Sequence, residues 1–211
     1  MAKKNPFVVV DELISPLMCE DYITRLKNTF PNYDAEGNPE KTYRANALSE
    51  IRTLPAIEEL MPELEAYYGF TLRGILPFNF EWYVPGVTEP PRCENSLFRN
   101  NMWRIKNDID FTGIIFLNDH REKAPFDPRF ECRGGKLEFP GHQFGFLPSR
   151  GTFIFFPSGP NFINYTAPIQ VGELNQIRIQ FVAEERYKYN RADFQGNYIE
   201  WFKSTLDKQA K

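Results

Sequence analysis

From about Phe70 the sequence becomes a series of short β-type runs separated by turns that carry Gly and Pro. The runs are Leu76–Tyr83, Met102–Lys106, Phe111–Leu117, Lys136–Phe139, Gln143–Leu147, Thr152–Phe156, Phe162–Ala167 and Asn175–Val182. Many short strands at this spacing pack as a sandwich or a closed barrel. The 20 Phe residues suit that outcome, because large rings fill the space between facing sheets.

The region 6–68 has a different period. Phe7–Val10 reads as a short buried strand. Ser15 caps a helix with Pro16 at its first position, and Cys19, Tyr22, Ile23, Leu26 and Phe30 recur at helical spacing. Residues 32–46, with Gly37 and Pro39, read as a loop. A second helix is expected over Pro55–Tyr68, with Ile57, Leu60, Met61 and Leu64 on one side. Phe194, Tyr198, Trp201 and Phe202 suggest a closing helix over about 191–208. The reading is one domain over 1–211: a strand-helix region at 6–68, a β core at about 70–184 and a C-terminal helix. The fold class is α+β, mostly β.

Composition narrows the function classes. A net charge of −3 offers no basic field for nucleic acid or an anionic membrane. No apolar run reaches the ~18–20 residues of a membrane span. Pro6 and Asp11 interrupt the only short apolar stretch near the start, so the chain reads as not secreted. Cys19, Cys93 and Cys132 form no C-x-x-C pair, and an odd count suits a reducing compartment. Cys19 is expected in the core.

Several pieces occur in a telling order. They are Phe7-Val8-Val9-Val10-Asp11 with Ser15-Pro16 and Cys19, then Phe111–Asn118, then Gly134-Gly135-Lys136-Leu137-Glu138-Phe139, then Pro148-Ser149-Arg150-Gly151 leading into Thr152–Pro157. In these pieces the chain resembles the iron(II)/2-oxoglutarate-dependent oxygenases of the prolyl 4-hydroxylase branch, over nearly its whole length. The resemblance implies a double-stranded β-helix, the jelly-roll or cupin-like architecture. It also implies a site: a His-x-Asp pair and a distal His for iron, with a basic residue clamping 2-oxoglutarate. In that branch a Tyr and a Gly precede the first His at set intervals. Tyr83 and Gly86 keep them, so the His position falls on Arg92 and the Asp position on Glu94. Pro168-Ile169 and Gly172 keep the frame of the distal His, which falls on Asn164. The clamp position falls on Leu174.

All four positions differ from the expected residues, and Glu94 alone could still coordinate a metal. A guanidinium has no lone pair to donate to a metal. At ~4 Å from a divalent cation and an effective dielectric near ~20, it is repelled by on the order of 8 kcal/mol. Asn164 is a weak oxygen ligand, and Leu174 cannot bind a carboxylate. Arg178 shares the strand face of Leu174 but lies four residues on, ~13 Å away at ~3.3 Å per residue. His120 and His142 are the only histidines and read as exposed loop residues. A His120/His142/carboxylate centre is the alternative metal reading. The expectation is that iron and 2-oxoglutarate are lost and that no residue is catalytic. Arg92 then has two placements. It fills the vacant metal position, paired with Glu94 or another interior carboxylate, or it lies in solvent on a drifted 87–101 loop. Tyr83, Gln176 and Arg178, with Gln180, are candidate pocket-lining residues.

The leading functional expectation is a degenerate oxygenase-fold protein acting through protein contacts. The wording of Phe111–Asn118 is similar to phage-encoded members of the family. That implies a virion role (neck, collar, tail or capsid-associated) with virion proteins or a second copy as partners. The chain would be made in the host cytoplasm, and would stay cytoplasmic if the phage reading fails. The alternatives are a divergent iron(II)/2-oxoglutarate dioxygenase and a peptide- or sugar-binding module. The loop Ala124–Arg133, between two core strands, is a candidate contact element.

Overall fold

The computed structural model describes residues 4–29, 42–47, 55–87, 89–123, 127–195 and 198–202. The first elements are β1 (Phe7–Val10), α1 (Pro16–Thr29), β2 (Thr42–Ala47), α2 (Pro55–Tyr68), β3 (Leu72–Ile75) and β4 (Phe78–Tyr83). A hairpin follows, β5 (Ser96–Arg99) and β6 (Met102–Ile105), then β7 (Phe111–Phe116), β8 (Asp119–His120) and β9 (Glu131–Gly134). The rest are β10 (Leu137–Phe139), β11 (Phe144–Phe146), β12 (Phe153–Pro157), β13 (Tyr165–Thr166), β14 (Ile169–Gly172), β15 (Leu174–Ala183) and β16 (Ile199–Phe202).

The largest sheet runs β16-β1-β12-β7-β15-β4-β2, and β3 also pairs with β15. Two three-stranded sheets, β11-β10-β13 and β14-β9-β8, cover one face of it. The helices cover the other face. Strand alternation divides the side chains between these layers. Val8, Val10, Phe153, Phe155, Ile177 and Ile179 pack with α1 and α2. Phe7, Val9, Ile154, Phe156, Ile114 and Phe116 pack toward the small sheets, against Leu137, Phe139 and Ile169. β7 is covered on both faces and is buried along its whole length. Its Gly113 admits the ring of Phe153, which lies 2.4 Å from where a Cβ would stand. A large sheet facing two smaller ones is the double-stranded β-helix arrangement, α+β and mostly β.

Both helices lie where their spacing places them. The Ser15 hydroxyl accepts from Met18 N at the start of α1, and Cys19 and Ile23 are buried. Ile57, Leu60, Met61 and Leu64 form the buried side of α2, joined by Tyr68.

Two segments differ from expectation. The stretch expected as a loop over 32–46 holds β2 at its end, whose backbone pairs along β4. Its polar composition hides it, because an edge strand is held by ladder hydrogen bonds more than by apolar burial. Residues 32–41 lie outside the described residues. The closing helix expected over about 191–208 is instead a 3-10 turn at Arg191–Asp193 followed by β16, which pairs parallel to β1. The aromatics fall at helical spacing, but they are also strand formers, and β1 offers an unpaired edge. Residues 203–208 lie outside the described residues. In the loop Ala124–Arg133, positions 124–126 are likewise outside. Phe130 packs onto the helix-side core, and Arg129 is exposed and bonded to Asp127.

Candidate functional site

The interior between the sheets is not uniformly apolar. β15 carries Leu174, Gln176, Arg178 and Gln180 on one face. β4 pairs with it in the register Leu174↔Tyr83 and Gln176↔Glu81, so Tyr83 and Glu81 face the same space. Glu81 and Arg178 are almost wholly buried. Arg178 Nε lies 3.1 Å from both Glu81 oxygens, and its Nη1 donates to Glu94 Oε1 at 3.1 Å. Gln176 Nε2 donates to Glu81 Oε2 at 2.6 Å, and Gln180 Nε2 to Glu94 Oε2 at 3.1 Å. The Tyr83 hydroxyl lies 3.0 Å from Glu81 Oε2 and 3.1 Å from Glu89 Oε2.

Arg92 enters from the segment between β4 and β5. Its backbone exchanges two 2.9 Å hydrogen bonds with Asn164, which lies between β12 and β13. This bridge directs its side chain at the same carboxylates. Nη2 donates to Glu81 Oε1 at 2.8 Å, while Nη1 lies 3.1 Å from Glu89 and Nε 3.0 Å from Glu94. The last two nitrogens are not aligned as hydrogen-bond donors, so these contacts act through charge alone. The Arg92 side chain is 16% exposed, which separates it from a solvated loop residue.

The cluster thus holds two guanidiniums among three carboxylates. Burial works against the charge of Arg178, but the carboxylates of Glu81 and Glu94 outweigh it and hold the group more firmly protonated than usual. Burial, reinforced by the Glu81 carboxylate, pushes the Tyr83 phenol well above its ordinary value, so Tyr83 stays a donor.

Of the positions singled out in the sequence, Arg92, Glu94, Asn164, Tyr83, Gln176 and Arg178 meet in this interior. Asn164 is fully buried; its Nδ2 donates to Phe162 O at 3.0 Å, and its Oδ1 has no protein partner. Leu174 is fully buried in apolar surroundings with Tyr83, Cys132 and Ile169.

The histidines depart from expectation, since neither is an exposed loop residue. His120 Nδ1 lies 3.1 Å from Gly134 O and its Nε2 2.9 Å from Glu122, with the side chain 8% exposed. The His142 ring packs on Phe7, Phe162 and Tyr198, drawn into an aromatic cluster of the small sheet, and burial lowers its pKa. Among the described residues, no three His, Cys, Asp or Glu side chains are placed to hold one metal ion.

Glu81 and Glu89 complete the cluster and were not singled out in the sequence. Glu81 carried a signal: it has the strand parity of Tyr83 in an otherwise aromatic run, Phe78–Tyr83. Glu89 carried none. A surface groove of about 520 Å³ lies between Tyr68–Thr71 and Glu184–Lys188, and no residue of the cluster lines it.

No protein-family model and no curated protein matches the sequence. Solved structures do match the fold. The viral collagen prolyl hydroxylase of Paramecium bursaria Chlorella virus-1, in its 2-oxoglutarate complex, superposes with a TM-score of 0.59 at 16% identity, over 84% of this chain and 95% of that one. A Pseudomonas putida prolyl-4-hydroxylase gives 0.59 at 14% identity, over 86% and 94%. A Trichoplax adhaerens prolyl hydroxylase, in complex with a hypoxia-inducible-factor peptide fragment, gives 0.57 at 13%, over 85% and 84%. The chain has the double-stranded β-helix fold of the prolyl 4-hydroxylases.

Proposed function

We propose that this chain is a prolyl-hydroxylase-type barrel that has lost its oxygenase chemistry and acts as a structural, protein-binding component. The observation that carries the reading is Arg92, whose guanidinium is ion-paired to Glu81, Glu89 and Glu94 inside the barrel. The resemblance carried by the frame of Tyr83 and Gly86, which would put an iron ligand at Arg92, supports the reading.

Iron and 2-oxoglutarate, which the fold family implies, do not fit the residues present. The cation of Arg92 repels a divalent ion placed beside it. Glu81 and Glu94 are engaged by Arg178, Arg92 and two glutamines. Leu174 offers no partner to a carboxylate, and Arg178, on the same strand face, is bound to Glu81 and Glu94. Removing one partner from a buried ion cluster of this kind leaves the opposite charge without compensation.

The test is to express the chain with iron(II), measure bound metal, and assay succinate release from 2-oxoglutarate. The expected result is neither stoichiometric iron nor succinate above background. One iron per chain with turnover overturns the reading.

The likeness of Phe111–Asn118 to phage-encoded members supports extending the proposal to a virion component with other virion proteins as partners. Proteomics of purified particles tests that extension, and absence of the chain removes it.

A further inference from the structure

We infer that the β5-β6 hairpin is a docking arm for an extended segment of a partner protein in which apolar and acidic residues alternate. The inference rests on the protein-binding reading above and names the surface and the chemistry of the partner. The hairpin forms a sheet of its own; among the described residues neither strand pairs with anything else. Its register places Phe98 opposite Trp103 and Ser96 opposite Ile105, so these share one face. Leu97 opposite Arg104 and Arg99 opposite Met102 share the other. On the first face Phe98, Trp103 and Ile105 are 57%, 41% and 66% exposed, and the Phe98 and Trp103 rings lie 5.3 Å apart. An uncharged aromatic face left in water marks an interaction site.

The arm is anchored at its root and closed at its tip. Lys106 N donates to Asn95 O at 2.8 Å, and Asn107 Nδ2 to Glu94 O at 3.1 Å. Asn100 and Asn101 have φ of 52° and 59°, the left-handed pair that a two-residue hairpin turn requires.

Charge selects the partner. Ser96–Lys106 contains Arg99, Arg104 and Lys106 and no acidic residue, in a chain that carries 28 Asp and Glu against 25 Lys and Arg. Asp108, just beyond, is paired with Arg73 and Arg186. Cations on an edge strand also discourage unwanted strand pairing, but that role leaves the bare aromatic face unexplained. A strand added to an open edge presents alternate side chains to the two faces. Apolar residues then meet Phe98, Trp103 and Ile105, and carboxylates meet Arg99 and Arg104.

The experiment uses the full chain and a fluorescein-labelled peptide of about nine residues that alternates Val with Glu, followed by anisotropy. A second peptide replaces Glu with Lys. Binding of the Glu peptide about tenfold or more tighter than the Lys peptide, weakened by salt, is expected. Loss of about tenfold is expected in Arg99→Glu/Arg104→Glu and in Phe98→Ser/Trp103→Ser, with unchanged melting temperatures. Absence of binding, equal binding of the two peptides, or full binding by either variant overturns the inference. A dimer in sedimentation that both variants abolish also overturns it, in favour of a second copy as occupant. Iron and succinate measured on the same preparation keep the two readings apart. An inactive, iron-free chain that ignores the peptide sinks the docking arm alone. An active, iron-loaded chain that binds it sinks the function proposed above.

Discussion

Arg92 and Asn164 exchange two backbone hydrogen bonds of 2.9 Å, joining the segment after β4 to the segment after β12. The resemblance to prolyl 4-hydroxylases leads one to expect iron-ligating histidines at these two positions, and the fold makes the two residues neighbours. In this chain the pair presents a guanidinium to three carboxylates and an amide turned to Phe162 O.

Arg92→Met removes the guanidinium that Glu81, Glu89 and Glu94 share. Removing one partner from a buried ion pair costs about 3–5 kcal/mol, and the partial exposure of Arg92 puts the expected loss near the lower end, about 3 kcal/mol. Urea unfolding measures it. Adding Glu94→Gln should recover part of the loss, because the two changes share one network. Unchanged stability in Arg92→Met would show the guanidinium to be idle.

Gly113→Ala would put a methyl 2.4 Å from Phe153 Cε2 and 3.1 Å from Phe181 Cε2. Both rings are fully buried and have no room to retreat. A loss of about 1–3 kcal/mol is expected from overpacking, read as a lower thermal midpoint. Gly74→Ala, with nothing within 4 Å of its added Cβ, is the control and should shift far less.

The three thiols should resist alkylation in the folded chain. Burial pushes Cys19 and Cys132 up to about 12 and raises Cys93 as well. The thiolate is the reactive form, so iodoacetamide near neutral pH should label the native protein slowly, with the half-buried Cys93 first. Mass spectrometry after urea should show all three labelled. Fast native labelling of Cys132 would contradict its burial.

Burial depresses the His142 pKa below its ordinary 6.5. The unfolded chain therefore binds the proton more readily than the folded chain. Stability from this residue is present in full above pH 6.5 and is lost as pH falls below it, through the folded value. His142→Phe keeps the ring packing and removes the proton site. Its melting temperature should fall less between pH 7 and pH 5 than that of the parent, and equal falls would dismiss His142 as the source.

Much of the architecture was legible in local pattern. α2 begins and ends at Pro55 and Tyr68 as its apolar spacing requires, β7 falls within its expected run, and β12 is offset from its run by one residue at each end. Local pattern failed where a segment's structure depends on its neighbour. β2 is polar and exists as a ladder on β4. The run Tyr198–Phe202 suits helix or strand, and the open edge of β1 made it a strand.

The same division holds for the site. Spacing to Tyr83, Gly86 and Gly172 is a property of the chain alone, and through the family resemblance it led to the expectation that Arg92, Glu94, Asn164 and Leu174 stand where iron ligands and an anion clamp would be. Strand parity also put Arg178 on the same face of its strand as Leu174. The inward turn of Arg92, and its pairing with Glu81 and Glu89 as well as Glu94, come from the fold. A charge enters a low-dielectric interior only beside its counter-charge. Glu81 and Arg178 belong to strands far apart in sequence that meet only when the large sheet forms.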